Sequence, residues 1–153
     1  MAGIIEVSNR LPQLKPSRDE INMTMAEVVA LRGTCQRKQV GCVIVKNSRV
    51  ISTGYNGSAY SGSCVDLKCD ITNKCTHSIH AEANAIMAAA RQGISLIGTT
   101  LYCTTQPCYE CAKLIIQSGI ERVIWQEPYT NDEGQRLINK TGRIICKSLK
   151  DAE

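Results

Sequence analysis

The chain has 153 residues, 43% hydrophobic and 21% charged, which suits one globular domain with a core of its own. Its net charge of +4 fits attraction to a small anionic molecule and argues against a nucleic-acid polymer as partner, which calls for clustered Lys and Arg. Nine cysteines, no apolar run of membrane-spanning length and no secretory pattern over Met1 to Arg10 give the expectation of a cytoplasmic protein. It would have no membrane contact, and its cysteines would be metal ligands or buried thiols rather than a disulfide framework.

Residues 1–16, with Pro12 and Pro16 and little periodicity, read as an N-terminal arm to a single domain spanning 1–153. Ser17-Arg18-Asp19-Glu20 is a capping box, and Ile21, Met25, Val28, Val29 and Leu31 mark a first helix ending near Arg32-Gly33. Val40 to Val45 is a buried β-branched strand that turns at Asn47-Ser48 into a second strand, Val50 to Gly54. Gly54-Tyr55-Asn56-Gly57 closes that strand with glycines that permit close backbone approach. Residues 57–78 read as loop.

A helix is predicted from near Ile79 through the Ala-rich run to Ala90, with Gly93 ending it. Thr99 to Thr104 is a third strand, and Cys108 to Ser118 a third helix opened by Pro107 and stopped by Gly119. Arg122 to Trp125 is a fourth strand, Asp132 to Lys140 a short helix and Gly142 to Cys146 a last strand. Small apolar faces on the first and third helices are compatible with assembly. A hairpin followed by alternating helices and strands predicts one mixed five-stranded sheet with helices on both faces, its later strands parallel through right-handed crossovers.

His80-Ala81-Glu82 and Pro107-Cys108-Tyr109-Glu110-Cys111 carry the chemistry. His80, Cys108 and Cys111 are three zinc ligands, and three protein ligands leave a coordination position open for water, as in a catalytic zinc site. Cys108 and Cys111 share a helix face at a helix start, where the helix dipole favours the thiolate that binds metal. His80 and Glu82 would point to opposite sides in mid-helix, so they can serve one metal only at a helix start. Two helix N-termini should therefore converge on one ion. A bare C-x-x-C would favour a structural zinc or a redox dithiol; the full H-x-E…P-C-x-x-C order is that of zinc nucleobase deaminases.

Hydrolytic deamination needs a proton taken from water, one given to the ring nitrogen and one given to the departing amine, and Glu82 can carry all three. Backbone N–H groups near Ala81 and Cys108 are candidates to steady the tetrahedral state.

The segments Val40 to Val45, Ser52 to Gly57, His80 to Ile86 and Thr104 to Lys113 resemble the deoxycytidylate (dCMP) deaminases, in order and in register from about Arg32 to Trp125. Cys42 stands where that family usually has Ala. The resemblance implies a three-layer α/β/α cytidine-deaminase-like fold and conversion of dCMP to dUMP. It also implies a homohexamer, activated by dCTP and inhibited by dTTP at a second site with Mg²⁺. It places Arg37 at the 5′-phosphate, Asn56 at the base or sugar and Tyr129 in the base-pocket wall; Ala81 joins this substrate-binding set through its backbone N–H. By the residues alone, Arg37 also reads as a surface arginine, Asn56 as a turn-holder and Tyr129 as ordinary packing.

Cys64, Cys69, Cys75 and His77 fall just before the second helix, four soft ligands that would make a closed structural zinc. Some proteins resembling this one carry a second zinc in that loop; the alternative is free thiols. Cys35, Cys42, Cys103 and Cys146 read as small buried hydrophobes. Two rival functions remain at this level: a deaminase of another substrate (a base, a nucleoside, a tRNA adenosine or dCTP), and a non-catalytic zinc-binding regulator, against which Glu82 argues.

Overall fold

A computed structural model describes residues 15–60 and 75–152. The capping box forms as read: Ser17 N–H donates to Glu20, and the Ser17 hydroxyl accepts from Glu20 N–H at 3.2 Å. Helix α1 then runs Arg18–Ala30. Strands β1 (Gly41–Lys46) and β2 (Arg49–Tyr55) form the expected hairpin, and Asn47 and Ser48 take the positive φ values, 49° and 63°, of its two-residue turn. A register shift between Ile44 and Val45 marks a bulge.

Two short strands, β3 (Gly57–Ser58) and β4 (Ser78–Ile79), pair antiparallel within the span read as loop. They carry too few residues for any period to show. Their pairing returns the chain to the end of β2 and delivers His80 there. The order then continues with α2 (Ala81–Arg91), β5 (Thr100–Thr105), α3 (Tyr109–Ser118), β6 (Arg122–Glu127), α4 (Glu133–Asn139) and β7 (Ile145–Ser148), followed by a 3₁₀ turn at Leu149–Asp151.

The main sheet has the order β2-β1-β5-β6-β7, antiparallel from β2 to β5 and parallel from β5 to β7, so it is mixed and five-stranded as expected. Alternation along the strands divides the core into two layers. Met23 and Ala26 of α1 lie with Val43, Val45, Tyr102 and Ile124 on one face. Residues of α2, α3 and α4 cover the other, with Cys42, Ile44, Leu101, Cys103 and Val123 beneath them. This is the three-layer α/β/α arrangement.

The apolar residues that mark α1 in the sequence are not the ones it buries: Met25, Val28 and Leu31 are exposed, while Met23, Ala26 and Ala30 are buried. A Cβ at Gly41 would lie 2.0 Å from Ala26 O and 2.5 Å from Ala30 N, so strand and helix backbones touch there and only small residues fit between them. The same device, anticipated at Gly54, seats α2: a Cβ there would lie 2.3 Å from Ala81 O and 2.4 Å from Ala85 N. Ala81, Ala85 and Ala89 are fully buried for this reason. Arg122 pairs with Asp19 at 2.5 and 2.8 Å, and Tyr102 donates to the same carboxylate at 2.6 Å, locking α1 to β5 and β6. Among the described residues no helix is long and apolar enough to cross a membrane.

Candidate active site

The site lies where α2 and α3 begin. His80 is the N-cap of α2 and Cys108 the N-cap of α3, each with extended backbone, and Glu82 and Cys111 stand in the first turns. Cys108 was expected as a helical residue; it stands one position earlier, with Pro107 just before the cap. Gly54 beneath α2 and the end of β5 before α3 bring the two helix starts together.

His80 Nδ1 lies 3.4 Å from Cys108 Sγ and 3.5 Å from Cys111 Sγ, and the three ligand atoms all fall within 4.8 Å of one another. Tetrahedral zinc, with bonds of about 2.3 Å to sulfur and about 2.0 Å to nitrogen, requires nitrogen–sulfur edges of roughly 3.5 Å. The donor set and its spacing fit that ion.

The electrostatics agree. Hydrogen bonds from Cys111 and His80 hold the Cys108 thiol down to about 4. Cys111 is pushed upward by its hydrogen bond to Cys108 and by burial; holding a cation requires its thiolate. The Cys108 thiolate in turn holds His80 above its usual value. Glu82 is 4% exposed, and desolvation pushes its carboxyl up to about 7, between carboxylate and acid at neutral pH.

These groups open onto a cavity of about 850 Å³. Its wall includes Arg37, Asn56, Ala81 and Tyr129, so every residue expected at the substrate meets the same space as His80, Glu82, Cys108 and Cys111. Arg37 is exposed and Ala81 is buried at the cavity floor. Asn56 is 7% exposed; its Oδ1 accepts from Val40 N–H at 2.7 Å and its Nδ2 donates to Lys38 O at 2.7 Å. It therefore holds the Arg37-bearing loop in place while one N–H and one lone pair remain beyond those two bonds. Tyr129 is part-exposed, and its backbone N–H donates to Gln106 Oε1.

Of the second cysteine group, Cys64 and Cys69 lie outside the described residues. Cys75 is half-buried in the cavity wall and His77 is exposed. Cys42, Cys103 and Cys146 are buried as expected, whereas Cys35 is only half-buried because it lines the cavity.

Sequence reading overlooked three residues. Lys38 adds a second cation to the wall. Gln106, 4% exposed and directly before Pro107, accepts from the Tyr129 backbone N–H. Gly134 lies so close to the metal turn that a Cβ would stand 2.2 Å from Pro107 O. Nothing local in the sequence says what Gln106 or Gly134 faces.

Comparison with known proteins agrees with this geometry. The family model for the cytidine and deoxycytidylate deaminase zinc-binding region matches residues 16–127. The chain is 41% identical over 124 residues to the deoxycytidylate deaminase of Mycobacterium phage D29, covering 72% of this chain and 95% of that one. It is 36% identical over 151 residues to the deoxycytidylate deaminase of Saccharomyces cerevisiae, covering 93% of this chain and 48% of the yeast protein, so it spans about half that relative's length. The crystal structure of the cyanophage S-TIM5 dCMP deaminase in complex with dCMP and dUMP superposes with a TM-score of 0.79 at 27% identity, covering 89% of this chain and 99% of that one. A mixed sheet that sets a His-Cys-Cys cluster and a buried glutamate at two helix starts defines a zinc-dependent deaminase scaffold. The chain belongs to the cytidine and deoxycytidylate deaminase family.

Proposed function

We propose that this chain hydrolyses dCMP to dUMP and ammonia, supplying dUMP for thymidylate synthesis. The observation that carries the reading is one cavity holding a tetrahedral-zinc donor set, a buried carboxyl and an exposed arginine. Relatives named for this activity, and a structural neighbour holding dCMP and dUMP, support the substrate.

His80, Cys108 and Cys111 would hold the zinc, which supplies Lewis acidity and makes water a competent nucleophile near neutral pH. Glu82 does the proton work. As carboxylate it takes a proton from the attacking water and gives it to N3 of the cytosine ring; it then takes the second proton from the hydroxyl now on C4 and gives it to the exocyclic nitrogen, so that the C–N bond breaks, ammonia leaves and the C4 carbonyl forms. Placed beside the attacking water and the ring, one carboxyl acts as base and then as acid. The N–H groups at the starts of α2 and α3 face the cluster with the positive ends of both helix dipoles, which favours developing negative charge. Arg37 gives the 5′-phosphate a forked, always-charged partner, Asn56 bonds the base or sugar, and Tyr129 walls the base.

Three further parts of the reading rest on the family resemblance. The first is a homohexamer, with which the apolar side chains Met25, Val28 and Leu31 exposed on α1 are compatible. The second is activation by dCTP and inhibition by dTTP with Mg²⁺. The third is a structural zinc on Cys64, Cys69, Cys75 and His77, for which a metal content of two zinc per chain, rather than one, is the test. The function is tested by ammonia release from the zinc-loaded protein offered dCMP, dCTP, deoxycytidine and cytosine. Preference for dCMP is expected; release from none of them, with zinc bound and dCTP present as effector, means a regulator on the same fold.

A further inference from the structure

The two strands that lead to the site, β5 and β6, pair in parallel as far as Thr105 and Glu127. The ladder is extended once more by Gln106 N–H donating to Glu127 O at 2.8 Å, and there the backbones part. One goes to Pro107 and the metal turn, the other to the exposed segment 128–132. At the fork the Gln106 side chain takes over the pairing. Its Oε1 accepts from Tyr129 N–H at 2.9 Å, and its Nε2 donates to Gln135 Oε1 at 2.6 Å. Gln135, on α4, donates its Nε2 to Cys146 O in β7 at 3.4 Å.

The polarity of this chain of amides is fixed at both ends. Tyr129 N–H can only donate and Cys146 C=O can only accept, so Gln106 must present its oxygen to Tyr129 and Gln135 must present its oxygen to Gln106. The buried Gln106 carboxamide and the half-buried Gln135 carboxamide are thereby satisfied in one direction, and reversing either would set like against like at an end.

We propose that Gln106 is a positioning residue for substrate affinity: through the Tyr129 N–H it holds the outer wall of the cavity at a fixed distance from the metal turn, with Gln135 as its anchor. Gln106 touches neither the cluster nor Glu82 by any hydrogen bond the structure contains. Loss of the tether therefore loosens the wall that meets the nucleotide and leaves the proton chemistry in place. Its signature is a rise in KM with little change in kcat. This inference rests on the reading of the cavity as the dCMP site.

The test uses zinc-loaded Gln106→Met, which keeps length and volume while removing both hydrogen bonds, and Gln135→Leu, which removes only the anchor. Three quantities are read: zinc content, KM and kcat for dCMP, and hydrogen exchange at the Tyr129 amide. Losing one buried hydrogen bond predicts Tyr129 exchange about tenfold faster and KM raised about five- to twentyfold in Gln106→Met, with kcat within about threefold and zinc retained. Gln135→Leu gives the same pattern with smaller changes, and carries the test if Gln106→Met does not fold. Unchanged Tyr129 exchange overturns the tether. Faster exchange with an unchanged KM overturns the affinity role, and a fall in kcat with loss of zinc means that Gln106 acts through Cys108 instead. If the wild-type protein does not turn over dCMP, the proposed function fails on its own, and the exchange comparison still decides whether the tether exists.

Discussion

Gly134→Ala is a small change that should injure the metal site from outside it. In the native structure a Cβ at this position would lie 2.2 Å from Pro107 O and 2.7 Å from both Cys108 C and Cys108 O. All three are backbone atoms, so no side chain can swing away, and restoring van der Waals contact requires α4 and the metal turn to separate by more than about 1 Å. Alanine gains about 1 kcal/mol of helix propensity over glycine, but overpacking of this kind costs typically about 1–3 kcal/mol, and contact with main chain lies at the upper end. The net loss of about 1–2 kcal/mol corresponds to a Tm lower by about 2–8 °C for a domain of this size. Because the displaced peptide carries Cys108, zinc affinity falls as well. Thermal unfolding and zinc titration against a competing chelator read the two effects. A variant as stable as wild type, with unchanged zinc affinity, would refute the claim that α4 rides directly on the metal turn.

Two other outcomes follow from named contacts. The Arg122 hydrogen bonds, then that of Tyr102, hold the Asp19 carboxyl below its usual range despite partial burial. A depressed folded-state pKa contributes stability that is present above the ordinary carboxylate range and is lost as pH falls through the lowered value. Asp19→Asn should therefore cost about 1–3 kcal/mol at pH 7, with the gap to wild type closing in acid; denaturant unfolding at several pH values checks this, and a gap constant down to about pH 2 contradicts it. Arg37→Ala should lower kcat/KM for dCMP by about tenfold to a hundredfold while barely changing that for deoxycytidine, since only the nucleotide offers a phosphate. Equal losses on both substrates would make Arg37 a structural residue.

Much of this protein is legible before any coordinates, for identifiable reasons. Zinc chemistry constrains residue type and spacing tightly, so His80, Glu82, Cys108 and Cys111 announce both a metal and two helix starts, and the helix caps fall there. Ser17 and Glu20, Asn47 and Ser48, and Gly119 in the left-handed region signal locally, and each is found in its predicted role. What periodicity could not report is which face of α1 is buried. Met25, Val28 and Leu31 mark the helix but lie exposed; the buried face is set by room, which Gly41 provides from a strand remote in sequence. The β3–β4 pair is too short to have a period. Gln106, Gln135 and Gly134 take their meaning from partners beyond their own segments, so no local pattern marks them.

The most direct test of the account is Glu82→Gln, a near-isosteric change that removes the proton carrier and leaves all three zinc ligands. The predicted result is a folded protein with wild-type zinc content whose dCMP deamination falls by at least about 10²- to 10⁴-fold, the usual contribution of a positioned acid–base group. A Glu82→Gln protein that holds its zinc and still releases ammonia from dCMP at near the wild-type rate would contradict it.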